Sequence, residues 1–246
     1  VPRTVVLGGA TYRDYGYGWA VGMFDSLRPN ADVAARLAAL DVALEPGLAR
    51  GYSGGRQTGT IFAQAADLGA EFVLTCECDM SWTGEHVAAI IEAHAALTST
   101  FGTDVPIAVG ATYPASSRAG QFVLALDDDC GNDCDDGELC LHKSVEDVLA
   151  LLPTAADVLR DPFVRSRYAE ARVLPCGFTL WPLAPFRGVE IVERMSGSTF
   201  HGFDKAASEH LRGVGGRLFV DLSLDVGHMV AVPMTAAEMA RKRGGT

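Results

Sequence analysis

Phe72-Val73-Leu74-Thr75-Cys76-Glu77-Cys78-Asp79-Met80 is an apolar run of strand character that ends abruptly in two carboxylates spaced i, i+2. Residues two apart on an extended chain point the same way. Glu77 and Asp79 are therefore expected to aim together past the end of the strand, which in an open α/β sheet is where ligands bind. Two acids converging there suit a hard divalent cation held against a phosphate-bearing substrate. Two solvated acids in a turn are the plainer alternative. The neighbours favour a positioned pair, because Ser81-Trp82-Thr83-Gly84-Glu85 follows with helix-start chemistry. Cys76 and Cys78 fall on the opposite strand face and read as small buried fillers.

Working outward, the first half alternates strand and helix. Arg3 to Leu7 reads as a strand ending at Gly8-Gly9, and a helix is expected near Trp19 to Leu27. Asp41 to Leu44 reads as a short strand. Ser53-Gly54-Gly55-Arg56-Gln57 opens a helix with Ile61, Ala65 and Leu68 on one face, closed by Gly69. A helix from Gly84 carries Val87, Ile90, Ile91 and Leu97 as its core stripe, and Pro106 to Ala111 is a further strand. The second half mixes segments: Gln121 to Leu126 and Glu138 to His142 as a hairpin, helical material near Ser144 to Leu152, and a strand at Ala171 to Leu174. A helix from Lys205 to Arg212 and a strand from Leu218 to Asp221 complete it. The expected class is α/β, with a mixed, mainly parallel sheet and helices on both faces. One domain over 1–246 is expected, with a nucleotide-binding half (1–114) and a half shaping a second substrate (115–246).

Composition narrows the partners. A chain of 246 residues with 48% apolar content suits one sizeable core. No apolar run approaches the roughly 20 residues that span a bilayer, and no basic-then-apolar leader opens the chain. The expectation is a soluble, cytoplasmic protein. A net charge of −11 argues against nonspecific nucleic-acid binding. Seven acids between Asp127 and Glu138 supply most of it; without them the charge would be −4. Loop 127–140 is expected to be exposed. Cys130, Cys134, Cys140 and His142 are zinc-type ligands and leave zinc binding as an alternative, although their spacing fits no common zinc pattern.

Four stretches in this order resemble the GT-A-fold, nucleotide-sugar-dependent glycosyltransferases, near their small bacterial and phage-type members. Gly55-Arg56-Gln57 resembles a segment that opens a helix before the acidic motif. Glu77-Cys78-Asp79 stands where that family has D-x-D, and Val109-Gly110-Ala111-Thr112-Tyr113-Pro114 resembles the strand that follows. Gly202-Phe203-Asp204 through Gly216, Val220-Asp221 and Gly227-His228 resembles the closing block. The likeness covers residues 3 to 230. Glu77 replaces the first Asp, and Phe203 stands where many members have Glu.

The resemblance implies a hexosyltransferase-like enzyme that uses a UDP- or GDP-type donor and Mn²⁺ or Mg²⁺. Asp79 would bind the metal directly; Glu77 would reach it through water or touch the donor ribose. His228 would be the remaining protein ligand, against the alternative of a structural histidine. Asp204 would be the general base of an inverting transfer, against the alternative of an N-cap for a helix starting at Lys205. Arg56 and Gln57 would bind the donor, Arg56 at its phosphates, with a surface arginine as the alternative. Thr11 and Tyr12 would meet the nucleoside, Tyr12 by stacking. Trp19 could pack or touch the acceptor, and Trp181 and Phe186 read as core, with the acceptor side as the alternative. The acceptor stays open among glycan, lipid-linked sugar, protein and nucleic acid. Competing readings are a nucleotidyltransferase, disfavoured because Gly8-Gly9-Ala10-Thr11 lacks a lysine, and a non-catalytic binding module. A zinc hydrolase lacks its histidine pair.

Overall fold

The computed structural model describes residues 2–11, 17–50, 54–112, 121–123, 125–126, 142–144, 167–191, 194–196 and 199–228. Chain order runs β1 (Arg3–Thr11), α1 (Tyr17–Leu27), α2 (Ala31–Ala39), β2 (Val42–Arg50), α3 (Gly54–Asp67), β3 (Phe72–Glu77), β4 (Met80–Ser81), α4 (Gly84–Phe101) and β5 (Ile107–Thr112). Then follow β6 (Gln121–Val123), β7 (Ala125–Leu126), β8 (His142–Ser144), β9 (Tyr168–Val173), β10 (Phe178–Pro182), β11 (Arg194–Ser196) and β12 (Thr199–His201). The described chain closes with α5 (Phe203–Gly213), β13 (Arg217–Asp225) and β14 (Gly227–His228).

Eight strands form one sheet in the order β2-β1-β3-β10-β5-β13-β9-β7. β1 pairs in parallel with β2 and β3, and β13 with β5. β10 runs against both β3 and β5, and β9 against β13 and β7. Six of the eight strands thus point one way, and β10 and β9 oppose them. Such a sheet must be apolar on both faces. Val5, Leu7, Leu74 and Val109 pack on one side with α1, α2 and α4; Val6, Val73, Ala108 and Trp181 pack on the other with α3 and α5. The α/β expectation of a mixed sheet covered on both faces is met. Among the described residues no helix is long and apolar enough to cross a membrane.

The structure corrects several local readings. Residues 31–39 form a helix that the sequence does not announce. Asn30 starts it by accepting the Val33 N–H at 3.0 Å. Only Val33 and Leu37 anchor it, and Arg36 ties it to α4 by a two-pronged pair with Glu92 (2.7 and 2.8 Å) and a contact to Glu85. Leu68 is not a core residue; it lies past the end of α3 and is 58% exposed. The Gln121–Leu126 strand splits: Gln121–Val123 pairs with His142–Ser144, while Ala125–Leu126 joins the sheet edge beside β9. The acidic loop with Cys130, Cys134 and Cys140, and the segment 145–152, lie outside the described residues.

Gly8 and Gly9 are needed where they stand. A Cβ on Gly8 would run into the Ile61 side chain of α3, and one on Gly9 into the Trp19 ring of α1. Two helices close over the same strand from opposite faces because those two residues have no side chains.

His94 sits on the buried side of α4, 7% exposed, edge-on to Phe72. Burial and the nearby Arg3 charge push its pKa down to about 4, against a hydrogen bond to the Ile107 backbone. The unfolded chain takes up a proton below the ordinary value near 6.5, and the folded one resists until about 4. Stability from this group is therefore complete above pH 6.5 and falls as pH drops toward 4, by about 3 kcal/mol in all. Urea unfolding at stepped pH is expected to show this slope in the native chain, and a shallower slope in His94→Gln.

Candidate functional site

The expected acidic pair lies at the carboxyl ends of the parallel strands. Parallel pairing sets Ala10 opposite Glu77, so Thr11 and Glu77 end side by side, and Thr11 stands opposite Arg50 of β2. β10 runs the other way, so the Cys176-Gly177 turn before it arrives at the same end. The Glu77 N–H donates to the Gly177 carbonyl at 3.0 Å.

The geometry of the pair differs from the strand argument. β3 stops at Glu77, and Cys78-Asp79 forms a tight turn into β4. The alternation of an extended strand therefore does not carry Asp79 to the same side as Glu77; the turn places it. Glu77 is exposed and Asp79 partly buried. The cysteines divide in the same way. Cys76 is buried in the core as expected, whereas Cys78 sits half-buried in the turn.

The remaining candidate residues reach this end by different routes. β14 pairs antiparallel with β4, with His228 opposite Met80, which sets the His228 backbone one residue from Asp79 across the ladder. Asp204 stands in the first turn of α5, which starts at Phe203 with Gly202 as its cap. The N-cap alternative for Asp204 is thereby replaced: its Oδ1 accepts the Lys205 N–H at 2.8 Å from within the helix. Phe203, the departure from the Glu-Asp pair, is buried edge-on to Phe62 and serves as an anchor of α5 on α3.

Cys176 shows that two of the carboxylates converge. Its thiol is pushed well up, chiefly by burial, and further by the negative charges of Asp204 and Glu77. Charges from two different elements thus act on one buried sulfur. Cys76 is raised too, by burial. Neither buried thiol is a ready thiolate.

Arg56 and Gln57 occupy the first turn of α3, which follows β2 and so starts at the same end of the sheet. Arg56 is exposed and lines a cavity of about 960 Å³ with Phe62, Phe186, Arg187, Glu190 and Phe203. Glu77, Asp79 and Asp204 do not line that cavity, which runs along α3 from Arg56 to Asp67. Gln57 is 3% exposed, and neither end of its amide has a hydrogen-bond partner among the described residues. Tyr12 and the side chains of Thr11 and His228 lie outside the described residues. Trp19 is packing: it is 6% exposed, meets Trp82 edge-on, and its indole N–H donates to the Cys76 carbonyl at 3.0 Å. Trp181 is fully buried, and its indole donates to Thr75 Oγ1 at 3.3 Å. Phe186 is buried as well as being a cavity wall.

Among the described residues no three His, Cys, Asp or Glu side chains are gathered closely enough to hold a metal ion. The donor types at hand, two carboxylates and an imidazole-bearing residue on the adjacent strand, fit a hard divalent ion that keeps several positions for substrate oxygens.

Sequence reasoning misses three contributors: Cys176, the Arg167–Asp221 pair, and the irregular end of β13. Asp221 carries a signal, being a charged residue within an otherwise apolar strand. Arg167 carries none.

No family model matches the chain, and no curated protein matches it. Solved structures give weak likenesses. A197 from STIV is 9% identical at a TM-score of 0.45, covering 95% of this chain and 99% of that one. GalNAc-T7, solved with UDP, GalNAc and Mn²⁺, is 14% identical at a TM-score of 0.49, covering 94% of this chain and 44% of that one. Mannose-1-phosphate geranyltransferase from Thermus thermophilus is 14% identical at a TM-score of 0.31, covering 89% and 73%. At these scores none of the three carries a conclusion about this chain's activity.

Gln57→Met keeps the shape of the side chain and removes the buried amide. It is expected to stabilise the ligand-free protein by about 1 kcal/mol, because a buried polar group without a partner is destabilising. An unchanged or lower urea midpoint would show that the amide is already satisfied.

Proposed function

We propose that this chain is a glycosyltransferase that moves a sugar from a nucleoside-diphosphate sugar to an acceptor hydroxyl, with inversion at the anomeric carbon. One observation carries the reading: Glu77 and Asp204, from two elements, are both near enough for their charges to raise the Cys176 thiol, while Asp79 sits one residue from the strand partner of His228. Acids from two separate parts of the chain, and a histidine from a third, come to the carboxyl end of a mainly parallel sheet, where α/β proteins bind ligands.

Asp79 and Glu77, with His228, are the residues that would hold Mn²⁺ or Mg²⁺. Such an ion, when bound, neutralises the charge on the departing diphosphate. Arg56 adds a guanidinium whose paired N–H groups match phosphate oxygens. Gln57, whose amide has no partner among the described residues, would be satisfied by the donor, and Thr11 and Tyr12 would meet its nucleoside. Asp204 takes the proton from the acceptor hydroxyl. The acceptor oxygen then bonds the anomeric carbon as the bond to the diphosphate oxygen breaks, and that electron pair leaves with the nucleoside diphosphate. The hydrogen bond from Lys205 N–H fixes the Asp204 carboxylate for this task.

The nucleotidyltransferase reading fits less well. Its phosphate loop would need Gly8 and Gly9 open to a ligand, whereas both are strand residues pressed against Ile61 and Trp19.

Calorimetric titration with UDP and GDP, with and without Mn²⁺, tests the proposal. Binding is expected to require Mn²⁺ and to disappear in Asp79→Ala. Asp204→Asn is expected to bind nucleotide as the native chain does, while sugar transfer or donor hydrolysis falls by roughly 10²–10⁴-fold. A native chain that binds neither metal nor nucleotide would overturn the reading and leave a binding module in its place.

A further inference from the structure

β13 does not run smoothly along β5. Asp221 lies opposite Ala111, but Thr112, the next residue of β5, lies opposite Asp225. Residues 222–224 are extra, and they turn the chain so that Gly227-His228 meets β4. Bulges of this kind redirect a strand and are common beside active sites.

The bulge is held from both sides. Asp221, fully buried, accepts Arg167 Nε at 3.0 Å on Oδ1, and Arg167 Nη2 at 2.7 Å on Oδ2. The same carboxylate accepts both the N–H (3.0 Å) and the hydroxyl (2.6 Å) of Ser223, inside the bulge. The Leu222 N–H donates to the Arg167 carbonyl at 3.0 Å. On the far side Thr112 closes the loop: its hydroxyl donates to the Leu224 carbonyl and its carbonyl accepts the Val226 N–H, each at 3.1 Å. Val226 is fully buried. Each residue from 221 to 224 is thus tied, and the segment beyond is the one that pairs with Met80-Ser81.

We infer that Arg167 and Asp221 are positioning residues: they clamp the β13 bulge and thereby set His228 beside Asp79. This rests on the transferase reading for the metal it invokes, but not for the clamp itself. Arg167 contributes no ligand. Its fork geometry fixes Asp221, Asp221 fixes Ser223, and the shape of the turn fixes the strand that follows. Supporting residues of this kind influence metal affinity nearly as strongly as ligands do.

Two readouts on the full chain test it. In Arg167→Ala, a change at a side chain that is 44% exposed, the amides of residues 226–228 are expected to exchange at least about tenfold faster, while Leu218 to Val220 keep their protection. Mn²⁺ affinity, read from the free-ion resonance signal with UDP present, is expected to fall by about tenfold or more. Combining Arg167→Ala with His228→Ala is expected to lose no more affinity than His228→Ala alone, since the clamp acts through that residue. Ser223→Ala, at an exposed position, is the milder variant and shifts the same amides in the same direction.

Unchanged exchange at 226–228, or unchanged Mn²⁺ affinity in Arg167→Ala, overturns the inference. Additive losses in the double variant overturn it as well. A native chain that binds no Mn²⁺ sinks the transferase reading and the positioning role together, and the exchange data then separate a clamp without a metal from no clamp at all.

Discussion

The close approach of two helices to the end of β1 is the constraint on which the candidate site depends. Ile61 and Trp19 press on Gly8 and Gly9 from opposite faces, and Trp19 also holds the Cys76 carbonyl through its indole N–H. That bond reaches the residue just before Glu77, so the packing of α1 bears directly on where β3 stops. Were either glycine to carry a side chain, α1 or α3 would have to lift, and with them the end of β3 or the first turn that holds Arg56 and Gln57. Overpacking of this type typically costs about 1–3 kcal/mol; here it would also move the residues proposed to meet the donor.

Around that fixed point the candidate site is drawn from elements far apart in sequence. β3 and its turn bring Glu77 and Asp79, the N-terminus of α5 brings Asp204, and the redirected end of β13 brings His228. Cys176 feels two of these charges and stays a thiol, since burial and both carboxylates oppose its ionisation.

Much of this is legible in the chain, for identifiable reasons. β3 and β5 are apolar runs ended by polar residues, and the stripe of Val87, Ile90, Ile91 and Leu97 shows the period of α4; all four are buried. Helix α2 is not legible because only Val33 and Leu37 mark its inner face, and its hold on α4 comes from Arg36, whose partners a sequence does not reveal. The direction of β10 is hidden as well. A strand buried on both faces has the same composition whether it runs with or against its neighbours. The E-x-D spacing marks the end of β3, but the strand argument for the pair does not hold in detail, since a turn and not a strand sets Asp79. In the sequence Phe203 looks like a lost acid, whereas its burial against Phe62 makes it a core residue of the α3–α5 contact. The bulge in β13 depends on Arg167, 54 residues from Asp221, so no local pattern announces it.

The insertion of β10 between β3 and β5 has a consequence for how the chain reaches this state. β3 and β5 are made early, yet neither pairs with the other; the gap between them is filled by residues 178–182. Until that segment has been synthesised, both strands present open edges with apolar faces, and the centre of the sheet cannot close. Long-range pairing of this sort is slow and exposes edges that other chains can capture. During synthesis the protein therefore passes through an interval in which its future centre is its most adhesive surface, and a strand arriving late ends that interval.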